Sequence, residues 1–170
     1  EQFSGDLERL ESFYLDIGFV EFSIDSTPIS ITPNRAEVYI TINITEGDLF
    51  TISNVDLAGD LVDAENLLRA ASFVKPWHIY SQALVTGTEE IMVQFLGNLG
   101  YAFAEATGVP EVNEGEETVE VTFFIEPGSR TYVNRISFAG NTSTADDVMR
   151  REMRQLESAP ASSLAIEQSK

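Results

Sequence analysis

The chain has 170 residues, a length typical of one or two domains. Its formal net charge is −18, yet 43% of its residues are hydrophobic, so the acidity does not indicate a disordered chain. Such a surplus of carboxylates repels phosphate backbones and anionic headgroups, which argues against a general nucleic-acid or membrane-surface role. The absence of cysteine excludes disulfides and thiolate chemistry. No apolar run approaches the ~18 residues of a membrane-spanning helix.

The first 46 residues predict a helix followed by a β-hairpin. Apolar residues recur at helical spacing up to Gly18, which is expected to end the helix. Strands are predicted at 19–25 and 29–31. After a turn at Asn34, strict alternation over 38–44 predicts a further, half-buried strand that forms the other arm of the hairpin.

Residues 47–127 predict a complete β-α-α-β-β unit. A strand over 50–57 precedes a helix that Asp63 is expected to cap and whose apolar face includes Leu67 and Leu68. Ser81 is expected to cap a second helix, which Gly100 closes. A strand beginning at residue 101, a turn at 113–115 and a strand alternating over 119–125 complete the unit.

Residues 128–170 restart the same pattern. A strand is predicted over 132–138, followed by a helix that a capping box of Thr144 and Asp147 would begin. Met149, Met153 and Leu156 would share one face of that helix. The polar tail from residue 158 ends before another unit could finish.

An internal repeat at an offset of 81–82 residues organises these segments. Residues 13–19 correspond to 95–101, and 55–60 correspond to 136–141. The sequence therefore predicts three units: the end of one at 1–46, a whole one at 47–127 and the beginning of another at 128–170. Their net charges are −7, −12 and +1, so the last unit differs chemically from the other two.

No residue pattern supports catalysis or a resident metal or cofactor. His78 is the only histidine and lies among aromatic residues, and no Gly-x-Ser-x-Gly motif is present. The acidic residues of 60–65 lack the spacing of a calcium loop. The glutamates of 114–120 are interpreted as a solvated hairpin tip. A small acidic periplasmic hydrolase using a carboxylate pair is kept as an alternative function.

Several segments carry a resemblance to a known family. Residues 15–19, 41–47, 98–102, 136–141 and, most closely, 150–155 are similar to the periplasmic POTRA domains of outer-membrane protein assembly factors. The resemblance covers nearly the whole chain and places it across the third to fifth of that family's five units. It implies an α+β fold, in which each unit has a mixed three-stranded sheet covered by two antiparallel helices, and a periplasmic location. The loop 75–78 and the tail 158–170 depart from the family's pattern.

Two surfaces are candidate binding sites. The stretch from Glu21 to Ile31 contains Pro28 and is expected to be an edge strand, because a central strand would not tolerate proline. From the residues alone, this edge is equally well interpreted as open for strand pairing or as protected by Glu21, Asp25 and Pro28. The resemblance favours the open edge and implies that unfolded outer-membrane proteins pair with it through Glu21, Phe22, Ser23, Ile24, Asp25, Ile29 and Ile31.

The second candidate surface is the charged face of the last predicted helix, with Arg150, Arg151, Arg154 and Glu157. An ordinary solvated face is the plain interpretation. The resemblance implies instead that this face docks accessory lipoproteins, and that the chain contacts the membrane only through a C-terminal barrel that it lacks. The POTRA arm of a related secretion or translocation transporter is a further alternative.

Overall fold

The structure, a computed structural model, describes residues 2–33 and 37–169. The turn predicted at Asn34 lies outside these residues. The chain divides into two compact units. The first contains the residues up to Val55 together with Val74–Thr86 and Pro110–Val121, and the second contains Asp56–Phe73, Gly87–Val109 and the residues from Thr122 onward.

Helices and strands follow one another in groups along the described residues. The helices are α1 Gln2–Asp16, α2 Glu65–Ala71, α3 Gln82–Asn98, α4 Asp146–Glu152 and α5 Ser163–Glu167. The strands are β1 Ser23–Ser26, β2 Ile29–Ile31, β3 Val38–Ile40, β4 Asn43–Thr45, β5 Thr51–Gly59, β6 Glu105–Asn113 and β7 Thr118–Glu126. The predicted α+β class is confirmed.

The hairpin of the first unit is built from two short antiparallel pairs. β1 pairs with β4, with an irregularity between Ile24 and Ser26, and β2 pairs with β3 from Ile29↔Ile40 to Ile31↔Val38. The strand predicted over 19–25 begins later, because a backbone hydrogen bond from Phe22 to Phe19 makes a turn there. The half-buried strand predicted over 38–44 is instead two strands whose apolar side chains are exposed, from 58% at Val38 to 37% at Ile44.

β5, β7 and β6 form a three-stranded sheet in that order. The alternation predicted in β7 is confirmed, because its four inward side chains are fully buried: Val119, Val121, Phe123 and Ile125. β6 begins four residues later than predicted, after a turn closed by the hydrogen bond from Ala104 to Tyr101.

The predicted cap of α2 is wrong. Asp63 takes a left-handed backbone conformation, with φ 58°, and Ala64 occupies the capping position without a side-chain hydrogen bond. The backbone carbonyl of Ala64 instead accepts the amides of Leu67 and Leu68. Of the predicted apolar face, Leu68 is fully buried but Leu67 is 56% exposed.

The elements predicted after residue 128 differ most from those observed. Residues 133–139 form no strand, and Tyr132 makes only an isolated bridge to Pro160. The capping box is wrong, because Ala145 occupies the capping position of α4 without a side-chain hydrogen bond. α4 ends at Glu152 and Met153 is extended, so Met149, Met153 and Leu156 do not share a helical face.

The tail contains a helix that the sequence did not predict. The side chain of Ser162 accepts the backbone N–H of Ala165 and thereby caps α5. Although the tail is small and polar, this serine cap supplies one of the hydrogen bonds that the first turn of a helix lacks.

Two glycines that follow α1 and α3 satisfy the same steric demand. Gly18 has φ +99°, and a Cβ there would lie 2.6 Å from a methyl carbon of Ile79. Gly100 has φ +101°, and a Cβ there would lie 2.8 Å from Cβ of Pro160. Both positions therefore require glycine for backbone conformation and for space.

We expect Gly18→Ala and Gly100→Ala each to lower the free energy of unfolding by about 1–3 kcal/mol, the usual range for a strained backbone position. Gly5→Ala is the matched control. Gly5 lies inside α1, and a methyl group added there would have no atom within 4 Å. That change should therefore stabilise the fold by about 0.5–1 kcal/mol. Urea unfolding measures all three, and equal effects at the three positions would contradict the assignment.

Candidate strand-pairing edge and partner face

The hydrogen-bonding direction of β2 follows from its two flanking contacts. The Thr32 amide donates to the carbonyl of Glu37 at 3.1 Å, and the Pro28 carbonyl accepts the Thr41 amide at 3.0 Å. In an antiparallel pair the backbone groups of one residue face the same side, and successive residues alternate. Residues 28, 30 and 32 therefore face β3.

By the same alternation, the N–H and C=O groups of Ile29 and Ile31 point away from β3. Among the described residues, β2 pairs with β3 alone. The side chains of Ile29 and Ile31 are 58% and 62% exposed. β2 thus offers two outward-facing residues with free backbone groups, which we call the β2 edge.

Pro28 does not block the β2 edge. Because its carbonyl faces Thr41, the N–H that proline lacks is missing from the inner side of the hairpin. The missing N–H lies between the end of β1 and the start of β2, opposite the gap between β3 and β4. Proline therefore interrupts the hairpin ladder and leaves the outer groups of Ile29 and Ile31 available.

The remaining predicted edge residues have other surroundings. Phe22 is buried and stacks on the ring of Tyr14 at 4.1 Å between centroids. The Tyr14 hydroxyl donates to Glu46, and this hydrogen bond to a carboxylate raises the pKa of Tyr14. Glu21 is exposed in the turn that precedes β1.

Within β1, the predicted residues are engaged by their own hairpin. Ser23 and Ile24 pair with Thr45 and Ile44. The Asp25 carboxylate accepts hydrogen bonds from the hydroxyls of Ser23 and Thr45. The acidic side chain that could have protected the edge is therefore held against β4. Within the predicted set, the flanking hydrogen bonds establish the outward direction of the backbone groups for Ile29 and Ile31.

The predicted partner face separates into two pairs of residues. Arg150 lies in α4, and its guanidinium contacts the Glu157 carboxylate at 2.9 Å and the Ile136 carbonyl at 2.7 Å. It also lies over the Phe138 ring at 5.5 Å. Arg150 and Glu157 thus connect α4 to the segment before it.

The Glu157 carboxylate is stabilised in its charged form. The Ile136 backbone N–H donates to it at 2.7 Å, and this bond, followed by that from Arg150, lowers the pKa of Glu157. Arg151 lies within α4 and Arg154 lies beyond its end, and both are exposed. The sequence pattern missed this division, since the Arg150–Glu157 pair depends on a chain reversal after Glu152.

The remaining candidate residues lie at the β6–β7 hairpin and in the loop before α3. Glu114, Glu116 and Glu117 are exposed at the β6–β7 turn, while Glu120 accepts a hydrogen bond from the Asn54 amide. His78 is exposed. Across residues 2–33 and 37–169, no group of three His, Asp or Glu side chains is placed to hold a metal ion. Every helix in the same residues is too short or too polar to span a bilayer.

Comparisons with known proteins agree with this architecture. The chain matches the family described as POTRA, surface antigen variable number repeat, over residues 1–47 and 50–128. The outer membrane protein assembly factor BamA of Neisseria meningitidis serogroup B is 33% identical over 171 residues. That of Buchnera aphidicola is 29% identical over 157 residues. These alignments cover 100% and 92% of this chain but only 22% and 25% of the relatives.

Solved structures give the same result. Haemophilus influenzae BamA POTRA3-5 superposes with a TM-score of 0.77 and 27% identity, over 100% of this chain and 67% of that one. BamA from Haemophilus ducreyi lacking POTRA domains 1-3 gives a TM-score of 0.62 and 36% identity, over 71% of this chain and 23% of that one. The predicted resemblance and the periplasmic location are confirmed.

We expect the Glu157 carboxylate, whose pKa is lowered first by the Ile136 amide and then by Arg150, to make folding stability depend on pH. A carboxyl whose pKa is lower in the folded state contributes stability above its unfolded pKa and loses it as pH falls through the folded value. The melting temperature should therefore fall as pH decreases below about 4.5, the ordinary pKa of a glutamate, and Glu157→Gln should flatten this part of the curve. Glu167→Gln, on exposed α5, is the control. Identical curves for Glu157→Gln and the unsubstituted chain would contradict the expectation.

Proposed function

Because the chain belongs to the POTRA family, we propose that it forms part of the periplasmic arm of an outer-membrane β-barrel assembly machinery and receives unfolded outer-membrane proteins by strand pairing. The observation that carries the proposal is the β2 edge, where the backbone groups of Ile29 and Ile31 face outward. Pairing of this kind recognises an extended main chain, so one edge can accept clients of many sequences.

The client class follows from what the β2 edge presents. Its exposed isoleucines offer apolar contact, and a barrel strand alternates apolar and polar side chains with a period of two. A client strand laid along the edge would place its apolar residues beside Ile29 and Ile31. Its backbone would meanwhile complete the outward hydrogen bonds. We infer no reaction, and the proposed role is that of a non-catalytic scaffold.

We also propose that the chain comprises three units, at 1–46, 47–127 and 128–170. The family match covers 1–47 and 50–128, which supports the boundaries after residues 46 and 127. The complete sheet β5-β7-β6 lies within the middle unit.

A second part of the proposal concerns the exposed arginines of the last unit. Arg151 and Arg154 are accessible, whereas Arg150 is already bound to Glu157 and Ile136. We propose that these two arginines dock an accessory lipoprotein with an acidic surface, because guanidinium groups form bidentate hydrogen bonds with carboxylates.

Site-specific photocrosslinking tests the β2 edge. A photoreactive residue at Ile29 should capture unfolded outer-membrane proteins in cells, whereas one at exposed Glu8 on α1 should not. Ile31→Pro should then reduce capture at Ile29 roughly 2- to 10-fold, since it removes one outward N–H worth about 0.5–1.5 kcal/mol.

Ser30→Pro is the matched comparison for that substitution. It removes an inner N–H and should weaken the β2–β3 pair itself, which a melting curve detects. Capture at Ile29 equal to that at Glu8, in a chain that remains folded, would overturn the strand-pairing proposal.

We expect charge reversal at Arg151 and Arg154 to reduce copurification of accessory lipoproteins at least several-fold, because like charges would then face each other across the contact. Arg9→Glu on α1 is the control, since Arg9 is exposed and lies within 3.8 Å of Asp6. Arg150→Ala should instead lower the melting temperature through loss of its internal contacts. Unchanged lipoprotein recovery after reversal of both arginines would overturn the docking proposal.

A further inference from the structure

In the first compact unit, the end of α1 is attached to the following chain at two points. The Gly18 carbonyl accepts the Phe50 amide at 2.9 Å, just before β5. Two residues earlier, the Asp16 carboxylate accepts the backbone N–H of Ala83 at 2.7 Å. Ala83 lies in the first turn of α3, where backbone N–H groups have no partner within the helix.

In the second compact unit, the end of α3 makes the same two attachments. The Gly100 carbonyl accepts the Thr131 amide at 2.8 Å. Two residues earlier, the side-chain oxygen of Asn98 accepts the backbone N–H of Leu164 at 3.0 Å. Leu164 lies in the first turn of α5.

The two arrangements correspond atom for atom at the repeat offset. Asp16 and Gly18 match Asn98 and Gly100 at 82 residues, and Ala83 matches Leu164 at 81 residues. The serines before the two capped helices also correspond. The Ser81 hydroxyl accepts the Leu84 amide at 3.4 Å, and the Ser162 hydroxyl accepts the Ala165 amide at 3.2 Å. A chance surface contact would not recur with the same backbone donors and a different acceptor side chain.

We propose that Asp16 and Asn98 are coupling residues that fix each POTRA segment to the next. Each supplies, from the last helix of one segment, the cap for the second helix of the following segment. The backbone bond at the adjacent glycine holds one point and the cap holds another, so rotation about the connection is restricted. Both connections use a side-chain oxygen acceptor two residues before a left-handed glycine.

The first connection has an additional electrostatic contribution. A carboxylate at a helix N-terminus is favoured by the helix dipole, and a hydrogen bond to a charged acceptor is roughly twice as strong as a neutral one. Asp16 supplies such a charge, whereas Asn98 supplies a neutral amide. We therefore expect the Asp16 connection to be the stiffer of the two.

Distance measurements between paired spin labels test the proposal. Labels at Glu8 on α1 and Thr86 on α3 both occupy exposed helix positions of the first compact unit. Asp16→Ala should broaden the distance distribution, and hydrogen exchange at the Ala83 amide should become about 5-fold faster, the usual effect of losing a helix cap. Asp16→Asn should change both in the same direction but less than Asp16→Ala does, because the amide oxygen remains an acceptor, as in Asn98, while the charge is lost.

Two further variants separate coupling from helix stability alone. Ala83→Pro removes the donor while proline is tolerated in the first turn of a helix, so it should broaden the distribution as Asp16→Ala does. Glu11→Ala, an exposed carboxylate on α1, should change neither measurement. Faster exchange with an unchanged distance distribution would show a cap without coupling and would overturn the proposal. Unchanged exchange and distances would overturn it as well.

Discussion

Gly18 after α1 and Gly100 after α3 both have left-handed backbones. Each of them determines where the next extended segment of the chain begins. A helix that ends in this conformation turns its last carbonyls toward the following chain. Gly18 and Gly100 use their own carbonyls to accept Phe50 and Thr131, the residues from which the next extended segment starts. Side chains at 49 and 79, or at 130 and 160, lie so close to the glycine that a Cβ there would force them to shift. The start of each extended segment is thus fixed by a contact that lies outside any sheet.

The next constraint is a set of backbone hydrogen bonds between that segment and the loop linking two helices. Ile52 exchanges hydrogen bonds with Trp77 and His78, and Val133 does the same with Ser158 and Ala159. Trp77 and Ser158 both have left-handed backbones, with φ 69° and 63°. One loop geometry therefore accommodates a large aromatic residue and a serine. The departures from the family's pattern at 75–78 and in the tail change the side chains and leave these backbone bonds intact.

These constraints explain which elements the sequence could predict. The alternation in β7 is a local signal, and burial of Val119, Val121, Phe123 and Ile125 agrees with it. The caps assigned to Asp63 and Thr144 failed because a capping residue is defined by backbone conformation, which the surrounding loop decides. The helix predicted through Leu156 ends at Glu152 because residues 158–159 must reach back to Val133. Periodicity alone does not reveal such a reversal.

The two candidate surfaces were predictable only at the level of the segment. Proline at position 28 predicted a single edge strand, but Pro28 lies in the break between β1 and β2. The direction of its carbonyl, which leaves the outer groups of Ile29 and Ile31 facing away from β3, depends on pairing register. Likewise, the arginine cluster was visible in the sequence, but the bond from Arg150 to Glu157 was not. That bond leaves Arg151 and Arg154 as the accessible cations of the cluster.

The β2 edge is short, which limits the free energy with which it could hold a client in the proposed function. The edge offers two outward N–H and two outward C=O groups, and each hydrogen bond to them contributes about 0.5–1.5 kcal/mol. Their sum is comparable to or smaller than the several kcal/mol of free energy that association costs. In the proposed function, a single β2 edge would therefore bind a client weakly and release it readily. In the proposed function, stronger retention would require a second contact on the same client, and β6 is a longer strand, of nine residues, at an edge of its sheet.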